Sequence, residues 1–273
     1  ERQPEAVIVA NPTALHMDVA IPAAKAGCHL FLEKPISHSL DGLEELESAV
    51  KQSRGRVFMG FQFRFHPGLQ VIKRLLSDDD VGKPLSVRVH WGEYLPDWHP
   101  WEDFRKSYSA RKDLGGGVVL TLCHPLDYLR WLLGEVQALW AFVGTKSAIS
   151  LDVDDIAEIG LRFDNGVIGS IHLDYHQRPA AHRLEIVCSR GTIRWDNATG
   201  VVEVYDPDIA AWKEYPPPDG FERNHLFLAE MEHFLKVIRG QEDPVCDLRD
   251  GIQSLVLALG IHESAQSGKL ITW

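Results

Sequence analysis

The sequence predicts an α/β unit joined to an α+β unit: half of a doubly wound parallel sheet, then an open, mainly antiparallel sheet covered by helices on one face. Three observations carry this. Over the first sixty residues, short apolar runs alternate with helical patterns, the sequence form of parallel βαβ units. From Leu85 onward apolar and polar residues alternate strictly, and Asp164-Asn165-Gly166 stands between two such runs as a hairpin turn. Two late stretches, after residue 220, have helical spacing.

Ala6 to Ala10 is an all-apolar run, suited to a strand covered on both faces. Ala14 to Ala26 is rich in Ala and stops at Gly27, a natural helix terminator. His29 to Leu32 forms a second short strand, closed by Glu33-Lys34-Pro35. Leu43, Leu46, Ala49 and Val50 mark one face of a helix expected to begin near Ser39, and Arg56 to Gly60 supplies a third strand. Right-handed crossovers would join these strands. From Pro67 the character changes: Leu69, Ile72, Leu75 and Leu76 trace an amphipathic helix, and Leu85, Val87, Val89 and Trp91 a strand with one wet face. Ile156–Phe163 and Val167–Tyr175 form the hairpin, and Arg190-Gly191 and Thr199-Gly200 punctuate a meander to about Tyr215. After Pro216-Pro217-Pro218, Phe227, Met231, Phe234, Leu235 and Ile238 trace a helix ended by Gly240. Ile252, Leu255, Val256 and Leu259 trace a last one.

Composition narrows the function classes. With 273 residues, 45% hydrophobic and 25% charged, the chain is globular and neither disordered nor fibrous. A net charge of −11 argues against a broad grip on nucleic acid or anionic membrane, so neither is expected as a partner. Cys28, Cys123, Cys188 and Cys246 lack any C-x-x-C spacing, which speaks for reduced thiols in a cytoplasmic compartment. No apolar run reaches a membrane span, and Glu1 to Glu5 is too polar for a signal peptide.

Lys34 follows a parallel strand at the edge where ligands bind in open α/β sheets. Desolvation there would lower its pKa toward the working range of an acid or base; read alone, it is a surface lysine opening a loop. Gly115-Gly116-Gly117 allows close backbone approach to a ligand or neighbouring element. The apolar helical stretch behind it would bury His124, a proton acceptor at neutral pH, among Leu120, Leu126 and Leu129, with Asp127 placed to orient the ring. A satisfied core histidine is the competing reading. The segment from Trp91 to Lys112 is dense in aromatic and charged residues. Trp98, Trp101 and Tyr108 could stack on a ligand's apolar faces and Arg105, Arg111 and Lys112 grip an anion, or the loop could pack on a neighbouring subunit. Alternation puts His172, Asp174 and His176 on one strand face; a solvated or substrate-facing strand is favoured there over a metal site, and no metal is expected.

Together these segments resemble the Gfo/Idh/MocA family of NAD(P)-dependent sugar and cyclitol oxidoreductases. The resemblance rests on Ala10-Asn11-Pro12-Thr13-Ala14-Leu15-His16, on Glu33-Lys34-Pro35, on Gly60 to Pro67 and on the Gly115 to Asp127 stretch, in that order and spacing. It implies a truncated Rossmann-like dinucleotide-binding part over residues 1–64 and a substrate and oligomerisation domain over 65–273, whose last helix packs back on the first part. It also implies hydride transfer between NAD or NADP and a secondary alcohol or carbonyl of a sugar, cyclitol or nucleotide sugar. Lys34 and His124 would be catalytic, with Thr121 at the place where relatives carry an acid and Asp127 taking part of that role. Asn11, Pro12, Thr13, His16, Glu33, Lys34, Gln62 and Arg64 would serve the cofactor. Trp98, Trp101, Arg105, Tyr108, Arg111 and His176 would meet a sugar-like substrate, and a homodimer or homotetramer would form through the antiparallel sheet. No G-x-G-x-x-G occurs. The resemblance places that phosphate-binding turn upstream of Glu1, so these residues alone are expected to bind the dinucleotide poorly, with an exposed sheet edge prone to aggregation. The alternative function is a non-catalytic binding or regulatory subunit of the same fold.

Overall fold

A computed structural model describes residues 4–146 and 149–273; Glu1 to Gln3, part of the polar opening segment, lie outside the described residues. The first unit is a three-stranded parallel sheet of β1 (Ala6–Val9), β2 (His29–Glu33) and β3 (Val57–Gly60), in that order. Helices α1 (His16–Lys25) and α2 (Leu43–Gln52) form the crossovers. β2, between its two neighbours, is buried at Leu30, Phe31 and Leu32. β1 is the outer strand of the three, and Ile8 is 55% exposed there. The second helix begins four residues later than its spacing suggests. Ser39 and Asp41 bond each other in a turn, and Gly42 enters the helix at φ +78°, a conformation its missing Cβ permits.

Helix α3 (Pro67–Ser77) leads into a nine-stranded sheet built from β4 (Pro84–Gly92), β5 (Val136–Gly144), β6 (Ile156–Phe163), β7 (Ile168–Asp174), β8 (Ala181–Cys188), β9 (Gly191–Asp196), β10 (Val202–Asp206), β11 (Ala211–Tyr215) and β12 (Ile271–Thr272). Its order is β11-β10-β9-β8-β4-β7-β6-β5-β12. The β6–β7 hairpin and the β8–β11 meander form as their turn residues dictate. All pairings are antiparallel except that of β4 with β7, and the short β12 closes the β5 edge. Between β4 and β5 lie α4 (Val118–Thr121) and α5 (His124–Leu133), two helices where one was expected. Pro125 has no N–H to give, so it suits the first turn of a new helix and not the interior of a continuing one. Helices α6 (Asn224–Ile238) and α7 (Leu248–Ser267) follow the meander. α3, α4 and α7 lie against one face of the large sheet, and α5 packs on α3 and α7. α6 covers the small sheet through Phe31, Phe58 and Phe234. α7 reaches both units, its Gly251 lying so close to Met59 of β3 that a Cβ would sit 2.7 Å from the sulfur.

Candidate active site

A cavity of about 820 Å³ opens where the C-terminal ends of the small sheet's strands meet one end of the large sheet. Glu33 and Lys34 enter it from the end of β2, Thr121 and His124 from the two short helices, and Trp91 and Glu93 from the end of β4. The triple glycine makes this possible. A Cβ on Gly115 would lie 2.9 Å from His38 Cβ and 3.1 Å from Thr13 Cβ, and one on Gly117, at φ +112°, 2.3 Å from Asp154 Oδ1. The close approach therefore serves a neighbouring element: α4 is seated on the loops that follow β1 and β2. Asp154 fixes it there, its carbonyl accepting from Val118 N and its carboxylate from Val119 N.

Lys34 donates from Nζ to the Thr121 carbonyl at 2.9 Å, so Thr121 enters the site through its backbone. Burial acts to lower the lysine's pKa, but Tyr108, Cys123 and Glu33 together raise it above the ordinary value. The expected drop toward neutrality is therefore corrected: Lys34 is a fixed cation and donor. His124 is 2% exposed, and its ring is held edge-on by Phe63 at 4.9 Å and Phe61 at 5.6 Å and stacked on Trp91 at 5.7 Å, in place of the expected leucine surround. Burial, reinforced by the Lys34 charge, pushes it well below the usual imidazole range, so it is neutral at physiological pH. Its Nδ1 is buried without a protein partner. Behind Trp91, His182 stacks at 4.1 Å and meets the Tyr128 hydroxyl through Nε2 at 3.1 Å.

Asp127 does not orient His124. Both its oxygens accept from the buried guanidinium of Arg64, at 3.0 Å from Nε and 2.7 Å from Nη2, because a buried charge takes a full opposite charge before a neutral ring. Arg64 also meets Asp250 and the Val245 carbonyl and does not line the cavity. Gln62, beside it in sequence, does line the cavity. At the end of β1, His16 is 1% exposed and faces the Asn11 carbonyl at 2.9 Å and the Ile36 carbonyl at 3.3 Å, tying together the loops after β1 and β2. Pro12 and Thr13 form the turn, with Thr13 buried. Asn11 Oδ1 is buried without a partner.

Of the expected substrate contacts, Trp98 and Tyr108 line the cavity. Trp101 is 79% exposed and lies outside it. Arg105 and Arg111 are bonded to Asp103 and Asp113 over a separate hollow, since short loop turns bring those carboxylates nearer than any ligand site. His176 lies 3.2 Å from the buried Asp155 and does not reach the cavity. On the open face of the large sheet His172 stacks on His90, not His176, and both its ring nitrogens meet carboxylates: Nδ1 meets Glu158 and Nε2 meets Asp174. That is an imidazole between two acids, held above its ordinary pKa, first by Asp174 and then by Glu158. Asn197, Arg223 and Phe227 also line the cavity. They come from a turn and a helix start far along the chain, with no local pattern to mark them.

Comparison with known proteins agrees with this architecture in both units. Residues 1–61 match the oxidoreductase family with an NAD-binding Rossmann fold, and residues 69–194 match the GFO/IDH/MocA C-terminal domain. The uncharacterized oxidoreductase YrbE of Bacillus subtilis is 28% identical, the alignment covering 97% of this chain and 76% of that protein. Myo-inositol 2-dehydrogenase of Thermotoga maritima is 27% identical over 98% of this chain and 79% of its own. Among solved structures, a levoglucosan dehydrogenase in complex with NADH and levoglucosan superposes with a TM-score of 0.89 at 23% identity, covering 98% of this chain and 80% of that one.

Proposed function

The chain belongs to the Gfo/Idh/MocA oxidoreductase family, and from that premise we propose that it moves a hydride between NAD or NADP and a secondary alcohol or carbonyl of a sugar, cyclitol or nucleotide sugar. The observation that carries this reading is the convergence of Lys34 and His124, one cationic and one neutral, on a single cavity at the C-terminal edge of the parallel sheet. A non-catalytic relative has no need of that pair.

The residues fit a dinucleotide's reactive end. Asn11 Oδ1, buried and unpartnered, would accept from an amide or hydroxyl there, and Glu33 and Gln62 would flank it. The nicotinamide supplies the hydride chemistry when bound. In the oxidative direction, the neutral His124 imidazole would take the substrate hydroxyl proton as the C–H bond breaks. Lys34 Nζ donates to the same oxygen and offsets its developing charge. Trp98 and Tyr108 give the sugar faces to pack on, and Phe61, Phe63 and Trp91 keep water from the imidazole.

Self-association is part of the proposal. The open face of the large sheet exposes Trp140, Phe142 and Ile168, which a second copy would cover, and light scattering tests this. Four free, buried cysteines support a reducing, cytoplasmic setting. No helix among the described residues is long and apolar enough to cross a membrane. The activity test is turnover with NAD and NADP against inositols, anhydrosugars and aldoses by a version of the chain that carries the upstream glycine turn, using Lys34→Ala and His124→Ala as controls. Each variant is expected to lose at least about a hundredfold in kcat. Near-normal turnover by Lys34→Ala sinks the assignment.

A further inference from the structure

Glu230 is 2% exposed on α6, and its Oε1 is buried without a hydrogen-bond partner. Nothing in the hydride-transfer reading uses it. Its place follows from two ring contacts. Phe234 meets Phe31 of β2 edge-on at 5.5 Å and Phe58 of β3 at 6.1 Å, which fixes how α6 lies on the small sheet. Side chains repeat on a strand face every second residue and on a helix face every fourth. Glu33 therefore stands next to Phe31 on the same face, and Glu230 next to Phe234 on the helix above it. Glu33 pairs in register with Gly60, where a Cβ would lie 3.1 Å from Glu33 Oε2, so the carboxyl lies across the space that a side chain at Gly60 would take. Glu230 thus faces, from the helix, the strand face that carries Glu33, whose carboxyl also borders the cavity beside Lys34.

We propose that Glu33 and Glu230 form a carboxyl pair that holds one proton at neutral pH, resident on Glu230. In this pair Glu230 is a positioning residue that keeps Glu33 as the single carboxylate beside Lys34. A buried, unpartnered carboxyl that faces a second carboxylate keeps its proton at ordinary pH. Burial, and then the charge of Glu33, pushes Glu230 up to about 9. His233, the next buried polar group of α6, is bonded to Glu242 and to Val245 N, and Arg64 is held by Asp127 and Asp250. Burial raises the Glu33 pKa above its ordinary value, and the Lys34 charge and backbone N–H oppose that rise in part. When Glu230 ionises, a second negative charge appears behind Lys34, and the balance that holds the lysine at the Thr121 carbonyl is lost.

The link to turnover rests on the reading of Lys34 given above; the shared proton does not. Glu230→Gln keeps the shape of the neutral acid and removes its titration. Three measurements on the full chain decide. Difference infrared spectra of wild type against Glu230→Gln should show a protonated carboxyl band at neutral pH that fades near pH 9. Thermal unfolding should show the variant gaining on wild type as pH rises. Above the unfolded value of 4.5 the folded wild type alone keeps the proton, so the folding equilibria diverge by up to about tenfold per pH unit until about 9. The alkaline limb of kcat/KM should be present in wild type and absent or shifted in the variant. No carboxyl band together with a pH-independent stability gap overturns the pair, and an identical alkaline limb in both proteins overturns the positioning role. The kcat/KM profiles are taken on a version of the chain that carries the upstream glycine turn; loss of all dehydrogenase activity there would instead defeat the reading of the site, with the infrared and unfolding results still deciding the pair.

Discussion

At His124 the tertiary setting reverses the property for which a histidine usually serves. The ring is chosen for a pKa near neutrality, yet burial and the Lys34 charge drive it far below 6.5. It is neutral throughout the physiological range, ready to accept a proton. The expected outcome is a kcat/KM profile with no acid limb at pH 6.5 and a fall only at markedly lower pH. A limb centred on 6.5 in the pH profile would show the ring solvated. Arg64 is the other residue whose role depends on its surroundings. It is 4% exposed and bonded to an Asp127 that is 1% exposed, so Arg64→Ala strands a buried carboxylate. About 3–5 kcal/mol of stability should be lost in urea unfolding. Replacing both partners with apolar residues should recover part of it.

The triple glycine and the helix break after it decide where the catalytic candidates stand. Gly117 is at φ +112° with Asp154 Oδ1 at 2.3 Å from where a Cβ would be. Gly117→Ala must therefore both strain the backbone and push Asp154 off the N–H groups of α4. The expected cost is about 1–3 kcal/mol in stability. Because α4 carries the Thr121 carbonyl that holds Lys34, kcat should fall as well. A variant with lower Tm and unchanged kcat would show that α4 does not set the lysine. The glycines are plain in the sequence, and so is His124. That the glycines face Thr13, His38 and Asp154, and not a ligand, is set by the packing of α4 on loops a hundred residues earlier and thirty-five later.

Across the molecule, three histidines cluster at one end of the large sheet, where it meets the small unit. His66, His124 and His182 all lie against Phe63, and burial lowers each, His66 to about 4. The unfolded chain takes up these protons below about pH 6.5, while the folded protein refuses them. The histidines' contribution to stability is therefore complete above 6.5 and drains away as pH falls below it, at up to about 1.4 kcal/mol per pH unit for each ring. Tm measured from pH 7.5 to 4.5 should drop steeply below 6.5. Replacing His182 with Phe should flatten that slope by about a third; a slope unchanged by the substitution would place the acid sensitivity elsewhere.

Periodicity and turn chemistry determined the order of elements, since both are local: the strand at His29 to Leu32, the Asp164-Asn165-Gly166 turn and the helix through Phe227 to Ile238 all appear, although that helix buries Leu226, Phe234 and Val237 and leaves Phe227 and Leu235 exposed. The same reading named Lys34 and His124, because a lysine at the end of a parallel strand and a histidine behind a glycine run are one-dimensional signals. Their neighbours are not. Asp127 went to Arg64, Thr121 supplied a carbonyl, Arg105 and Arg111 turned to nearby carboxylates, and Asn197 and Arg223 arrived from distant turns. Charge pairing and burial act between groups close in space whatever their separation along the chain, so only the packed structure could decide which groups share the cavity and which protons they keep.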